Sequence, residues 1–309
     1  MIQGLQRVEL SVRTFHRRSM SNVPQSNLCT KREFEEKTMP STYAHYRFGK
    51  DVLGRLPAKQ KQDIQAHPDL YNVGLHGPDL LFYYKPISHN PVNQLGFGMH
   101  DRPASEFFTH AGKVITDHQY SAAYVSYAYG FLCHFALDRE CHGYIDEKIA
   151  ESGVSHVGIE SEFDRALLAK DGYDPVSKKL TGHIHPSKES AAVIAQFFPQ
   201  ITEKDVYHAM RSFVFYSNLL CAPGKIKRGV LQGLLKLAGQ DAIVDMMISY
   251  EPNPRCKDSN EKLVALYEQA LDKAVKLITE FTDSAAGKIP YDPLLQYTFG
   301  SRLPDDSDA

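Results

Sequence analysis

Residues 121–145, SAAYVSYAYGFLCHFALDRECHGYI, decide the fold. Tyr, Ala, Phe and Leu stand on nearly every face of a 3.6-residue period, which predicts a helix buried all round at the centre of a helical domain. Inside it, His134, Asp138 and His142 follow an H-x3-D-x3-H spacing. Four residues advance a helix by about 400°, so the three polar groups drift only about 40° per step and share one face. Read alone, this is either a metal-binding ladder or a core histidine satisfied by Asp138 beside a surface histidine.

Working outward, helical periodicity predicts helices at 43–56, capped by Ser41 or Thr42, and another opened by Pro57. Residues 67–103 lose periodicity and gather Pro and Gly, which reads as a long irregular segment, and such segments inside domains are usually functional. Further helices are expected at 104–116, 155–170, 187–198, 202–220, 225–238, 240–249 and 258–282. Strand signals are scarce and no linker divides the body. The expectation is one mainly helical, all-α domain over 40–302.

Composition narrows the function classes. With 309 residues, 42% hydrophobic and 23% charged, the chain is globular rather than disordered or fibrous. No stretch approaches the roughly 18 apolar residues of a membrane-spanning helix. A formal charge of −2 gives no reason to expect a stable nucleic-acid partner. That total hides an asymmetry: residues 1–39 carry seven Lys/Arg against four Asp/Glu, and the remainder 28 against 33. The basic segment 1–39 reads as dispensable to the domain, with Met39 as an alternative start, and 303–309 as an acidic tail. Five cysteines without a C-x-x-C pair fit neither a disulfide framework nor a thiolate zinc site, and point to a reducing compartment, the cytoplasm.

Histidine is in surplus at 14, while tryptophan is absent. The surplus falls at ligand spacings. His156 and Glu160 form a second i, i+4 pair fourteen residues beyond His142, an offset that lets two consecutive helices face each other. Imidazole and carboxylate without thiolate suit a catalytic zinc site better than a structural one. The Gly/Pro-rich segment adds Asp79 and His100, and His45 lies near the start of the first helix. Asp79 has the competing reading of a turn residue after Gly-Pro. Tyr83, Tyr84, Phe97 and His76 cluster on the same segment and are candidates for substrate contact, or alternatively for packing.

The order His45, Asp79, His100, His134, Asp138, His142, His156, Glu160 is similar to that of the zinc-dependent phospholipase C family, whose all-helical fold and three-zinc site are shared with the single-strand-specific zinc nucleases. The similarity is clearest over residues 39–160, and the opening MPSTYAHYRFG (39–49) resembles intracellular bacterial members. The resemblance implies that Asp79, His100, His134 and Asp138 hold one zinc, that Asp138 bridges to a second held by His45, and that His142, His156 and Glu160 hold a third. In secreted relatives the second metal also takes the amine and carbonyl of an N-terminal Trp, which this chain lacks; an N-terminus at Pro40 is the substitute the sequence offers. Leu80 follows Asp79 where those phospholipases build an aromatic choline pocket, so choline specificity is not implied.

The function expected is hydrolysis of a phosphodiester by a zinc-bound hydroxide, with two or three Zn2+ ions and Asp79 as ligand and proton acceptor. The substrate is a phospholipid or another phosphodiester, with peripheral membrane contact compatible with the sequence. Two other readings compete. A non-catalytic helical protein binding metal or a lipid surface would keep the clusters without turnover. An HD-type metal phosphohydrolase would centre on His100-Asp101 and leave the two helical ladders without a role.

Overall fold

Helix α1 (Thr42–Arg55) opens the part of the chain that the computed structural model describes, residues 41–300. The segment 1–39, the Met39–Pro40 start and the acidic tail 303–309 lie outside the described residues. After α1 come α2 (Ala58–Ala66), α3 (Pro68–Gly74), a 3₁₀ helix (Gly77–Tyr83), α4 (Pro91–His100), α5 (Ala104–Asp117) and α6 (Ala122–Ser152). Then follow α7 (His156–Lys170), α8 (Lys188–Ala195), α9 (Glu203–Leu220), α10 (Lys225–Leu237), α11 (Asp241–Asp245) and α12 (Lys257–Ala285). Among the described residues there is no strand, only one isolated bridge between Pro103 and Thr298. The fold is all-α.

Helix α6 is the axis. Every residue from Val125 to Asp138 is buried, as its apolar circumference requires, with α3 and α12 flanking it and α1, α2 and α5 completing the jacket. Phe107 stacks on Phe131 at 3.9 Å, and Phe108, Phe135, Phe281 and Phe299 interlock edge to face around them. Burying each such ring contributes about 1.5–3 kcal/mol. Helix α3 approaches α6 unusually closely, because Gly74 and Gly130 face each other: a Cβ on either would collide with backbone of the other helix.

The segment 67–103 is not irregular; it is three short helices. Its prolines were the misleading signal. Pro68, Pro78 and Pro91 all stand in first turns, where a missing N–H costs nothing and the fixed φ favours helix. Asn90 then caps α4, accepting from the N–H groups of Val92 and Asn93, while the Asn93 side chain accepts from Asn90 N. A second expectation also fails locally: of 240–249 only Asp241–Asp245 is helical. The Ile248 carbonyl is instead taken by the buried Arg228 guanidinium at 2.7 Å.

Candidate metal centre

Five helices bring the eight residues of the sequence pattern into two neighbouring groups, with His45, Asp79, His134, Asp138 and Glu160 buried and His100, His142 and His156 partly exposed. α6 brings His134, Asp138 and His142; α7 brings His156 and Glu160; α1 brings His45; the 3₁₀ helix brings Asp79; and α4 brings His100 at its last turn. The ladder on α6 behaves as the spacing predicts, with His134 Nε2 3.0 Å and His142 Nε2 3.7 Å from opposite oxygens of Asp138.

Asp138 is the hub. Its Oδ1 faces His45 Nε2 at 3.1 Å as well as His142, whereas its Oδ2 faces His134 and, at 3.9 Å, His100 Nε2. Asp79 closes the first group from the other side, 2.9 Å from His100 Nε2 and 3.5 Å from His134 Nε2. Glu160 closes the second, 3.7 Å from His142 and 3.4 Å from His156. Two sets of donor atoms each lie within 4.8 Å of one another: His45, Asp79, His134 and Asp138, and separately His142, His156 and Glu160.

Local structure aims these groups. The His100 Nδ1–H donates to the Gly96 carbonyl at 3.1 Å, leaving Nε2 for the cluster, an outer contact typical of ligating histidines. Gly77 adopts φ +47°, and a Cβ there would run into the His134 ring, so its absence lets the 3₁₀ helix press Asp79 toward α6. The rings of His45 and His134 stack at 4.5 Å.

Electrostatically the place demands positive charge. Burial opposes ionisation of Asp138, but the imidazoles of His134, His142 and His45 hold its carboxyl well below the usual range. Glu160 is likewise held at about 2, burial being outweighed by His156 and His142. Burial lowers the affinity of His100 for a proton, yet Asp79 and Asp138 raise its pKa to about 9. His45 and His156 are raised in the same way, by Asp138 and Glu160 respectively. Despite these charges, both oxygens of Asp79, Oδ2 of Asp138, Oε2 of Glu160 and both ring nitrogens of His134 are buried without a hydrogen bond. Such orphans cost free energy unless a cation satisfies them, and nitrogen and oxygen donors without sulfur fit a divalent zinc ion.

More than half of the chain, residues 44–207, matches the family model described as zinc dependent phospholipase C. The chain belongs to the zinc-dependent phospholipase C family. No curated protein and no solved structure gives a match. Membership in this zinc-dependent phospholipase C family, a family of hydrolases, together with the two donor clusters, supports a zinc phosphoesterase in general terms and leaves the number of ions open. No described helix is long and apolar enough to cross a membrane. The HD reading loses ground, since Asp101 is exposed at the end of α4 and belongs to neither donor cluster.

A cleft adjoins the second cluster, and Glu160 belongs to both. Ser41, Thr42, Tyr83, Asp164, Lys178 and Arg228 contribute to its walls. Of the four aromatic candidates only Tyr83 is among them. His76 is buried against His183, the two Nε2 atoms 2.8 Å apart, and Phe97 stacks on Phe82 at 4.2 Å. Tyr84 instead packs against His208 and Lys85. Leu80 is buried.

One residue of the neighbourhood escaped the sequence reading. Asp164 caps α1 from another helix: its carboxylate accepts from the N–H groups of Tyr43 and Ala44, each at 2.8 Å, and from the Ser41 hydroxyl. Ser41 therefore does not cap its own helix, as expected from sequence, but delivers its hydroxyl to this carboxylate. Burial raises the Asp164 pKa to about 6. The signal was present, for His156, Glu160 and Asp164 repeat the i, i+4, i+8 ladder of α6.

Proposed function

We propose that the chain hydrolyses a phosphodiester at this zinc centre, with His45, Asp79, His100, His134, Asp138, His142, His156 and Glu160 as ligands to two or three ions. Asp79, His100, His134 and Asp138 take one; Asp138 and His45 take the second; His142, His156 and Glu160 take the third. The observation that carries the reading is Asp138, whose two oxygens face different imidazole sets, the arrangement of a carboxylate shared between metals. Zinc held there supplies positive charge to nonbridging phosphoryl oxygens and acidifies water toward neutral pH.

The chain's own residues do the rest. Asp79 lies 2.9 Å from His100 Nε2 and 3.5 Å from His134 Nε2, and its carboxylate is placed to accept the proton that an attacking water gives up. Tyr83 and Glu160 place the cleft beside the cluster, so substrate enters over the Glu160 side. Phe82 packs against His100 and Phe299 against His134, buried walls that keep bulk water from these rings and strengthen each electrostatic contact.

The test is to load purified chain with zinc, count the metal, and assay a phospholipid, a nucleotide or single strand, and a small chromogenic diester. Hydrolysis abolished by chelator is expected with at least one class. His134→Ala should lose both metal and turnover, by more than the roughly 100-fold typical of outer-shell changes. Undiminished hydrolysis by that variant refutes the assignment.

A further inference from the structure

Helix α10 carries two apolar faces, and only one is covered. Leu231 and Leu235 point inward onto Leu220, Ala222 and Met247. Ile226, Val230, Leu234 and Leu237 recur at i, i+4, i+8 and i+11 on the adjoining, outward side, and they are 85%, 60%, 61% and 88% exposed. Phe215 on α9 is 62% exposed as well. Gly229 and Gly233 flank the stripe, and a Cβ placed on either would meet nothing. Large side chains held in water along one helical stripe mark an interaction surface.

The charge around the stripe says what covers it. From residue 206 to residue 240 there is no Asp or Glu, while Arg211, Lys225, Lys227, Arg228 and Lys236 give five positive charges in a chain whose net charge is −2. On the helical wheel Lys227 borders the stripe on one side and Lys225 and Lys236 border it on the other. An apolar face rimmed by exposed lysines is the pattern of a helix lying in the plane of an anionic bilayer, with its leucines in the acyl boundary and its ammonium groups at the headgroups. A second copy fits poorly, because a two-fold contact would bring the lysines of both copies together. The segment 1–39 fits poorly for the same reason, being itself basic.

We propose that α10, with Phe215, docks this protein on an anionic phospholipid surface. Arg228 of the same helix lines the cleft that holds Glu160, on the buried face of α10 turned away from the stripe. Binding to the bilayer is separate from zinc chemistry, and is measured without turnover.

Flotation with vesicles of phosphatidylglycerol and phosphatidylcholine tests it. The wild-type chain should float with mixed vesicles, release as salt is raised, and ignore pure phosphatidylcholine. The triple variant Ile226→Gln, Val230→Gln, Leu234→Gln, and separately Lys225→Gln with Lys236→Gln, should bind about tenfold more weakly with unchanged melting temperature. Because the chain has no tryptophan, Leu237→Trp makes a single fluorescent reporter that should shift to the blue on mixed vesicles, whatever becomes of the triple variant. Wild-type protein that ignores anionic vesicles, a triple variant that binds like wild type, or equal binding to neutral vesicles overturns the proposal. So does a dimer that the triple variant converts to monomer without any vesicle binding.

Discussion

Helices α6 and α10 are both apolar on more than one face, and their fates are opposite. α6 is buried from Val125 to Asp138, and its few polar groups are gathered into a charged cluster. α10 is packed through Leu231 and Leu235, while its other apolar stripe is bare. A wide apolar face therefore does not by itself specify a core helix. What separates the two is their surroundings, since α6 is jacketed by five helices and α10 rests on a small satellite cluster. The inner helix holds its donor groups in a packed interior, and the outer one offers surface.

That contrast can be broken by substitution. Gly77→Ala attacks the wall of α6: the new Cβ meets the His134 ring, and the backbone at φ +47° resists any side chain. A loss of about 3 kcal/mol is expected in denaturant unfolding, with bound zinc reduced. An unchanged midpoint would mean that the interior around α6 yields as easily as a surface.

Acid probes the same interior more gently. Burial, followed by the charge of His185, pushes the His183 pKa down to about 3, and its partner His76 is also held well below the usual histidine range by burial and the nearby His183. Both rings are neutral in the folded protein, whereas an unfolded histidine takes up a proton near pH 6.5. The unfolded state thus binds more protons below that value, and stability drains away as pH falls from about 6.5 toward 3. For His183 alone the loss is about 2 kcal/mol by pH 5. Comparing the wild type with His183→Gln across pH 5–7 should show a shallower decline in the variant; parallel curves would contradict it.

The smallest effect is the sharpest discriminator. On α10, Leu235→Ala should cost about 2 kcal/mol because it opens a packed cluster, and Leu234→Ala one position earlier should cost less than about 0.5 kcal/mol. Equal losses in thermal unfolding would show that the outer stripe is packed after all.

Much of the candidate metal centre is legible along the chain because its central part is local. The i, i+4 steps of His134, Asp138 and His142, and of His156 and Glu160, put donors on one helical face whatever surrounds them. The family resemblance supplied the partners from His45, Asp79 and His100, which no local spacing connects. Less legible was 67–103, where Pro68, Pro78 and Pro91 read as breakers although each opens a helix. Proline's role depends on whether it falls in a first turn, and boundary positions are what sequence periodicity specifies least. Tyr84, Phe97 and His76 share with Tyr83 only nearness in sequence: His76 and Tyr84 flank the 3₁₀ helix at its two ends, Phe97 belongs to α4, and of the four only Tyr83 lines the cleft.

By itself the sequence determined that the chain is helical, that α6 is its axis, and which donor atoms share a face, since each follows from short-range periodicity and residue chemistry. Only the tertiary structure decided which oxygen of Asp138 meets which imidazole, that Asp164 rather than Ser41 caps α1, and which of the two apolar faces of α10 is left uncovered. Those outcomes depend on contacts between residues far apart in the chain, where packing rather than spacing chooses the partner.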